Sequence, residues 1–250
     1  VQARPELEDL KRRQREQSEA MMMLVHELRS PVTTCKSMVA GLRYLKRDDA
    51  ELDHFLSRIE YRMESLLELV NDLLDLSEAK AGQPHGQAVR LDLVERTSAI
   101  CEPYREEADV KGLALEMNLP QSPVWVRMTE RAYHLIVSNL VSNAVKYTPV
   151  GSVRVVLRVR EHWAVLEVQD DGIGIPEDEM PKLCTEFYRA SNARYSQFQG
   201  TGLGLAGVKA LVDGCGGDLE ISSQEGEGSR FRVRLPLLRR KNPSQIRSNL

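Results

Sequence analysis

The chain has 250 residues, enough for one or two domains, and its 42% hydrophobic and 28% charged residues let each bury a core and stay in solution. Its 34 Lys and Arg against 37 Asp and Glu give a formal charge of −3, which argues against a nucleic-acid binder with its basic face. Four cysteines, Cys35, Cys101, Cys184 and Cys215, form no CxxC pair and no zinc-finger spacing, so they read as reduced thiols of a cytoplasmic protein. A redox role for Cys35 has only its nearness in sequence to His26 behind it. No apolar run approaches the roughly 20 residues that a membrane span needs, so any membrane or sensor segment is expected outside this chain.

From Glu6 to Lys80 the pattern predicts helix. Leu7 and Leu10 precede a polar stretch, Lys11 to Glu19, so residues 1–19 read as an N-terminal extension of signalling coiled-coil type. Apolar residues then recur at Val25, Leu28, Val32, Cys35, Val39 and Leu42, and again at Leu52, Leu56, Ile59, Met63, Leu66, Val70 and Leu73. Steps of three and four mark a knobs-into-holes seam. The tetrad Lys46, Arg47, Asp48 and Asp49 lies between the runs, where a turn reverses the chain. Met38, Leu45, Leu67 and Leu74 widen the stripe beyond what one partner helix covers. Two hairpins pairing into a four-helix bundle would cover it, so a homodimer is expected; a hairpin packed on its own second domain is the alternative.

With Val25 and Leu28 on the seam, a rotation of about 100° per residue turns His26 away from the bundle axis. Ser30 lies four residues on, over the same outward face, and Glu27 flanks both. Neutral imidazole is a good nucleophile near neutral pH. As it attacks phosphorus the ring must lose its other proton, which a neighbouring carboxylate can accept. Pro31 lacks an N–H, so the carbonyl of Glu27 loses its helical partner and a bend is expected. The run His-Glu-Leu-Arg-Ser-Pro, His26 to Pro31, resembles the phosphoacceptor box of sensor histidine kinases. The resemblance implies that His26 is the phosphorylated residue and Glu27 its acid–base partner. Ser30 stands where the family usually carries Thr or Asn, the position linked to dephosphorylating the partner; its hydroxyl could orient water.

Ser77 to Gln87 loses the periodicity and gains Gly82, Pro84 and Gly86, which marks a linker. The boundaries drawn from this are a phosphoacceptor domain over 20–81, a linker over 82–88, a second domain over 89–237 and a basic, polar, disordered tail over 238–250. In the second domain, strands are expected near Val89–Leu93, Leu113–Met117 and Val124–Arg127, with a helix to about Val110. Thr129 is placed as the N-cap of a helix from Glu130 to about Lys146. Alternation at Val153, Val155, Leu157 and Val159 marks a strand, with Trp163–Val168 its partner. A helix after Gly202 leads into strands near Leu219–Ser222 and Arg230–Leu235. Helices on one face of a sheet, an α/β sandwich, fit this order.

Three motifs carry chemistry there. In Asn139-Leu-Val-Ser-Asn143-Ala-Val-Lys146-Tyr147 the two amides and the lysine share a helical face, suited to hydrated Mg²⁺ and phosphate oxygens. Asp170-Asp-Gly-Ile-Gly-Ile-Pro176 puts a carboxylate at a strand end, where it can accept from an amine such as adenine's. Gly200-Thr-Gly-Leu-Gly-Leu205 opens a helix with unpaired N–H groups, an anion site without the Walker Gly-Lys-Ser/Thr. In this order the three resemble the N, G1 and G2 boxes of the histidine kinase ATP-binding domain, whose fold is that of gyrase-type ATPases; Glu186-Phe187-Tyr188-Arg189 is similar to the family's F box.

The resemblance implies ATP and Mg²⁺ as cofactors, with Asn143 the metal ligand and Asn139 beside it. It implies that Lys146 and Tyr147 face the phosphates, that Asp170 recognises adenine, and that Gly172, Gly174, Gly202 and Gly204 shape the pocket. Thr201, Leu203 and Arg189 join the nucleotide-binding set, and Arg189 to Gly200 is the expected lid. The fold class is then α plus α/β, a dimerising helical hairpin followed by an ATP-binding sandwich. The activity implied is transfer of the γ-phosphate of ATP to His26 and on to an aspartate of a response-regulator receiver domain. A gyrase-like ATPase is one rival, but that family places Glu where this chain has Asn139, and an amide cannot activate water as a base. A non-catalytic nucleotide-binding scaffold is the other.

Overall fold

The computed structural model describes residues 29, 32–42, 50–80, 87–194 and 200–238. His26, Glu27, Ser30, the turn at 46–49 and the tail from 239 lie outside the described residues. The chain divides into two compact units: Val1–Pro84 with Pro181–Ala210, and His85–Met180 with Leu211–Leu250.

In the first unit, residues 32–42 form α1 and Ala50–Lys80 form α2, 31 residues long. Lys36 pairs with Glu64 at 2.6 Å and Arg29 donates to Asn71, so the helices run antiparallel as a hairpin. Val32, Val39, Leu56, Val70 and Leu74 are buried, in keeping with the heptad reading. Cys35, Leu42 and Leu66, expected on the seam, are instead exposed, as is Met38, because one neighbouring helix covers only one stripe. α2 ends at Lys80 as its pattern predicts, so the first residues of the Ser77–Gln87 stretch are helix rather than linker, with Ser77 and Ala79 buried. Nothing in Ser77-Glu-Ala-Lys80 breaks a helix, and Ala, Glu and Lys are good helix formers. Among the described residues no helix is long and apolar enough to cross a membrane.

The second unit is built on a five-stranded sheet. Its strands are β2 (Ala114–Asn118), β4 (Ser152–Arg160), β5 (Trp163–Asp170), β6 (Asp218–Gln224) and β7 (Gly228–Pro236), in the order β2-β4-β5-β7-β6. β2 and β4 are parallel and the other pairs antiparallel. A small antiparallel pair, β1 (Val89–Asp92) with β3 (Trp125–Met128), forms a second sheet that meets the end of β7 through a bridge from Val126 to Leu237. Helices α3 (Leu93–Val110) and α4 (Glu130–Tyr147) pack on each other, and α4 packs on β4 and β5. Alternate residues form the core: Val153, Val155 and Leu157 of β4, Ala164, Leu166 and Val168 of β5, Phe231, Val233 and Leu235 of β7. Val159, expected to continue the row, is exposed at the end of β4. Thr129 caps α4 as expected, its hydroxyl accepting from the Ala132 N–H at 3.1 Å.

Between α3 and α4 a polar pair is sealed in the core. The Tyr133 hydroxyl meets Thr97 Oγ1 at 2.5 Å, and Thr97 donates to the Leu93 carbonyl at 2.6 Å. Thr97 has that carbonyl as its own acceptor, so the phenol is the donor between the two hydroxyls. Burial pushes the Tyr133 phenol far above its ordinary value, so it stays a donor at any working pH. Tyr133→Phe should therefore cost about 1 kcal/mol in a urea melt, one buried hydrogen bond with no void left behind. A loss several times larger would show that the pair organises the two helices.

Candidate functional site

The end of β5 delivers Asp170 into the interior, where it is 5% exposed. Its Oδ1 accepts two backbone hydrogen bonds, from Gly172 at 2.9 Å and from Ser229 of β7 at 3.2 Å. Oδ2 receives no donor from the described residues and is the acceptor left for a ligand. Burial raises the carboxyl from 3.8 to about 6; the Gly172 and Ser229 bonds oppose this, and the charge of Asp171 adds to it. Asp171 itself is turned to the start of β4, accepting from Ser152 N at 2.9 Å and Oγ at 2.7 Å.

The loop after Asp170 is clamped on both sides. Ile173 N donates to the Tyr147 carbonyl at the end of α4 (3.1 Å), and Gly226 N, in the β6–β7 turn, donates to the Ile173 carbonyl (2.9 Å). Gly174 has a φ of 62°, and a Cβ there would lie 1.9 Å from the Gln224 carbonyl oxygen. Only glycine tolerates both demands.

Asn139, Asn143 and Lys146 are half-buried along α4, beside the fully buried Leu140, Ala144 and Val145. Asn139 donates its amide N–H to the Leu135 carbonyl at 3.0 Å, which leaves its Oδ1 as the outward atom. Asn143 makes no side-chain hydrogen bond among the described residues. Lys146 Nζ lies 5.5 Å from the centre of the Tyr147 ring. Asn139, Asn143, Lys146, Tyr147, Asp170, Gly172 and Gly174 thus fall in one unit, with the end of α4 bonded to the loop after β5.

Arg189, Thr201, Gly202, Leu203 and Gly204 fall in the other unit. The segment expected as a lid is not uniformly loop: Ser191–Arg194 form the short α5, and 195–199 lie outside the described residues. Arg189 donates to the Ala193 carbonyl at 3.0 Å. Gly204 begins α6 (Gly204–Gly214), and just before it Thr201 Oγ1 accepts from Leu203 N at 3.2 Å. Thr201 also donates to Asp72 of α2, and Leu203 and Ala206 pack with Leu76, flanked by Leu69 and Leu73.

Residues 128–239 match the family model described as histidine kinase-, DNA gyrase B- and HSP90-like ATPase, and residues 16–82 match the His Kinase A (phospho-acceptor) domain. The chain belongs to the sensor histidine kinase family. The chain is 31% identical over 225 residues to sensor histidine kinase WalK of Bacillus subtilis (strain 168), covering 88% of this chain and 37% of WalK. It is 32% identical over 228 residues to the autoinducer 2 sensor kinase/phosphatase LuxQ of Vibrio cholerae, covering 89% of this chain and 26% of LuxQ. The chain therefore spans well under half the length of these relatives. Its fold is similar to that of full-length ShkA, solved in complex with AMPPNP, with a TM-score of 0.73 at 24% identity over 90% of this chain and 47% of ShkA.

Two anchoring contacts of this unit, one at the candidate site and one away from it, escaped the sequence reading. Ser229 holds Asp170 through its backbone N–H, so its side chain left no signal, although Gly-Ser at a strand start could have drawn notice. Asp92 is both the N-cap of α3, accepting from Val94 N at 3.0 Å, and a tie to Val124 N at 3.0 Å. An Asp just before an apolar-periodic helix is a readable cap signal.

Proposed function

We propose that this chain transfers the γ-phosphoryl group of ATP to His26 and then to an aspartate of a partner response regulator. The observation that carries the ATP half is the polarised carboxylate of Asp170: one oxygen saturated by Gly172 and Ser229, the other open to a donor such as the adenine amine. The matched ATPase model and the ShkA complex with AMPPNP support the same reading.

Asn143, with Asn139 beside it, would hold Mg²⁺, since outward amide oxygens suit a cation that prefers oxygen ligands and keeps several waters. Bound there, the ion would neutralise charge on the β- and γ-phosphates. By the family resemblance Lys146 and Tyr147 would face the phosphates, Arg189, Thr201 and Leu203 would join the nucleotide-binding set, and Gly202 and Gly204 would shape the pocket. An imidazole nitrogen of His26 then bonds to the γ-phosphorus as the bond to the β–γ bridging oxygen breaks. ADP leaves, and Glu27 takes the ring proton. Positioning supplies most of the acceleration. In the second transfer the N–P bond breaks as an aspartate oxygen of the regulator bonds to phosphorus.

The chain works as a homodimer: Met38, Leu42, Tyr61 and Leu66, exposed on α1 and α2, are the surface a second hairpin would cover. The domains run 20–81 and 89–237, with 1–19 as a helical extension and the rest as linker and tail. The name of LuxQ couples kinase and phosphatase, and Ser30 is the residue here that would orient water for the reverse reaction. Incubation with γ-labelled ATP should give acid-labile, alkali-stable label on the wild type and none, a loss of at least about a hundredfold, on His26→Gln. Undiminished label on His26→Gln would overturn the assignment. A His26 variant mixed with an Asn143 variant would recover label only if one subunit phosphorylates the other.

A further inference from the structure

The alternate residues of the five-stranded sheet make a second face, opposite α4. Most of its charge is cancelled across strands: Arg154 pairs with Glu116 (3.1 Å), Arg232 with Glu167 (3.0 Å) and Glu220 (2.9 Å), and Arg234 with Asp218. Arg158 and Arg160, exposed on β4, have no acidic partner among the described residues. Beside them this face is apolar: Val156 is 9% exposed, and Val165 and Trp163, their register partners on β5 at Arg158 and Arg160, are half-buried. These side chains line a shallow depression of about 670 Å³.

An antiparallel sheet with one wet face normally alternates apolar-in and polar-out. Here an apolar floor with a tryptophan, two unpaired guanidinium groups and a surround of neutralised ion pairs interrupts that pattern. Trp and Arg are the residue types that dominate interface energetics, and a saturated polar surround excludes water without adding repulsion.

We propose that this face docks an acidic amphipathic helix of a partner protein, its apolar stripe on Trp163 and Val165 and its carboxylates on Arg158 and Arg160. Two residues apart on a strand, the arginines emerge about 7 Å from each other. Carboxylates one turn apart on a helix rise about 6 Å, so the spacings match. The surplus charge is local, since the whole chain carries −3. Residues after Leu237 do not suit the site, because Arg239, Arg240, Lys241 and Arg247 have the same sign as the arginines. A second copy would bring the same arginines across a two-fold axis. An anionic membrane would press its whole plane of charge on Glu161, which lines the same depression, whereas a helix can set its carboxylates over the two arginines alone.

The test uses the full chain with Trp125→Phe, so that Trp163 is the one reporter. The probe is a stapled helical peptide with a leucine stripe and glutamates one turn apart. It should change Trp163 emission saturably, weaken with added salt, and lose at least about tenfold in affinity in Arg158→Glu/Arg160→Glu and in the milder Arg158→Gln/Arg160→Gln. Equal binding of a lysine-for-glutamate peptide, unchanged affinity in the Gln pair, or a response to phosphatidylserine vesicles and not to the peptide would each overturn it. Binding is read without phosphotransfer, so failure here leaves the kinase reading as it stands.

Discussion

Asp170→Asn should weaken ATP binding about a hundredfold while making the nucleotide-free protein more stable. Oδ1 accepts from Gly172 and Ser229, so in the variant the amide oxygen must take that place, and the amide nitrogen must occupy the position of Oδ2. The reverse orientation would set an NH₂ against two backbone donors. A donor then faces the adenine amine, which is also a donor. Loss of a hydrogen bond to a charged acceptor is worth about 1.5–3 kcal/mol, so affinity for a non-hydrolysable ATP analogue should fall about a hundredfold in calorimetry. The same orientation rule favours inosine triphosphate, whose ring carbonyl accepts, relative to ATP.

The stability half follows from the carboxyl's position. Folding raises its titration from 3.8 to about 6, so the native state holds a proton that the unfolded chain has released anywhere between those values. Stability therefore falls as pH rises through that window, and above it the ionised side chain costs the empty fold about 3 kcal/mol. The asparagine variant keeps both backbone bonds without the charge. Urea melts of the nucleotide-free forms at pH 8 should show the variant more stable, by up to about 3 kcal/mol, and the gap should close towards pH 4. ATP-analogue affinity of the wild type should weaken below pH 6 relative to the variant, a difference that cancels the nucleotide's own titration. Equal stability at pH 8 would mean that water solvates Oδ2 well enough to remove the penalty.

Local pattern was enough wherever one face of an element is dry. The alternation of Val153, Val155 and Leu157 and the steps of Leu56, Val70 and their neighbours announced a strand and a hairpin helix, because burial imposes the period directly. Thr129 was readable as a cap for the same reason: its hydroxyl acts three residues away. What stayed hidden acts over long separations. Ser229 reaches Asp170 across 59 residues through a backbone N–H that any residue could present, and Thr201 reaches Asp72 across 129 through side chains whose pairing no local pattern announces. α2 ends at Lys80, where its pattern predicts, and Ser77-Glu-Ala-Lys80 stays helical after the apolar rhythm fades because these residues favour helix. The Asn139–Lys146 row and Asp170 were legible as chemistry through family resemblance. That they lie in the unit of β7 while Thr201 and Gly204 lie in the other was not.

Gly174→Ala and Gly226→Ala should part company, although both glycines have positive φ, 62° and 82°. At Gly226 a Cβ meets nothing within 4 Å, so alanine should cost about 1–2 kcal/mol of backbone strain and leave ATP-analogue affinity within a factor of a few. At Gly174 the same strain is joined by a Cβ placed 1.9 Å from the Gln224 carbonyl oxygen and 2.8 Å from Glu225 Cα, which are backbone atoms and cannot swing aside. The loop after Asp170 must then lift from the β6–β7 turn, breaking the bond from Gly226 N to the Ile173 carbonyl and shifting the strand whose Ser229 N–H orients Asp170. Loss of that bond and of the tight contact around it should bring the cost above about 3 kcal/mol. ATP-analogue affinity should drop at least about tenfold, because the carboxylate no longer presents Oδ2 alone. If Gly174→Ala binds as Gly226→Ala does, the turn yields as a unit, and the anchoring of Asp170 by β7 does not depend on how closely the two loops approach.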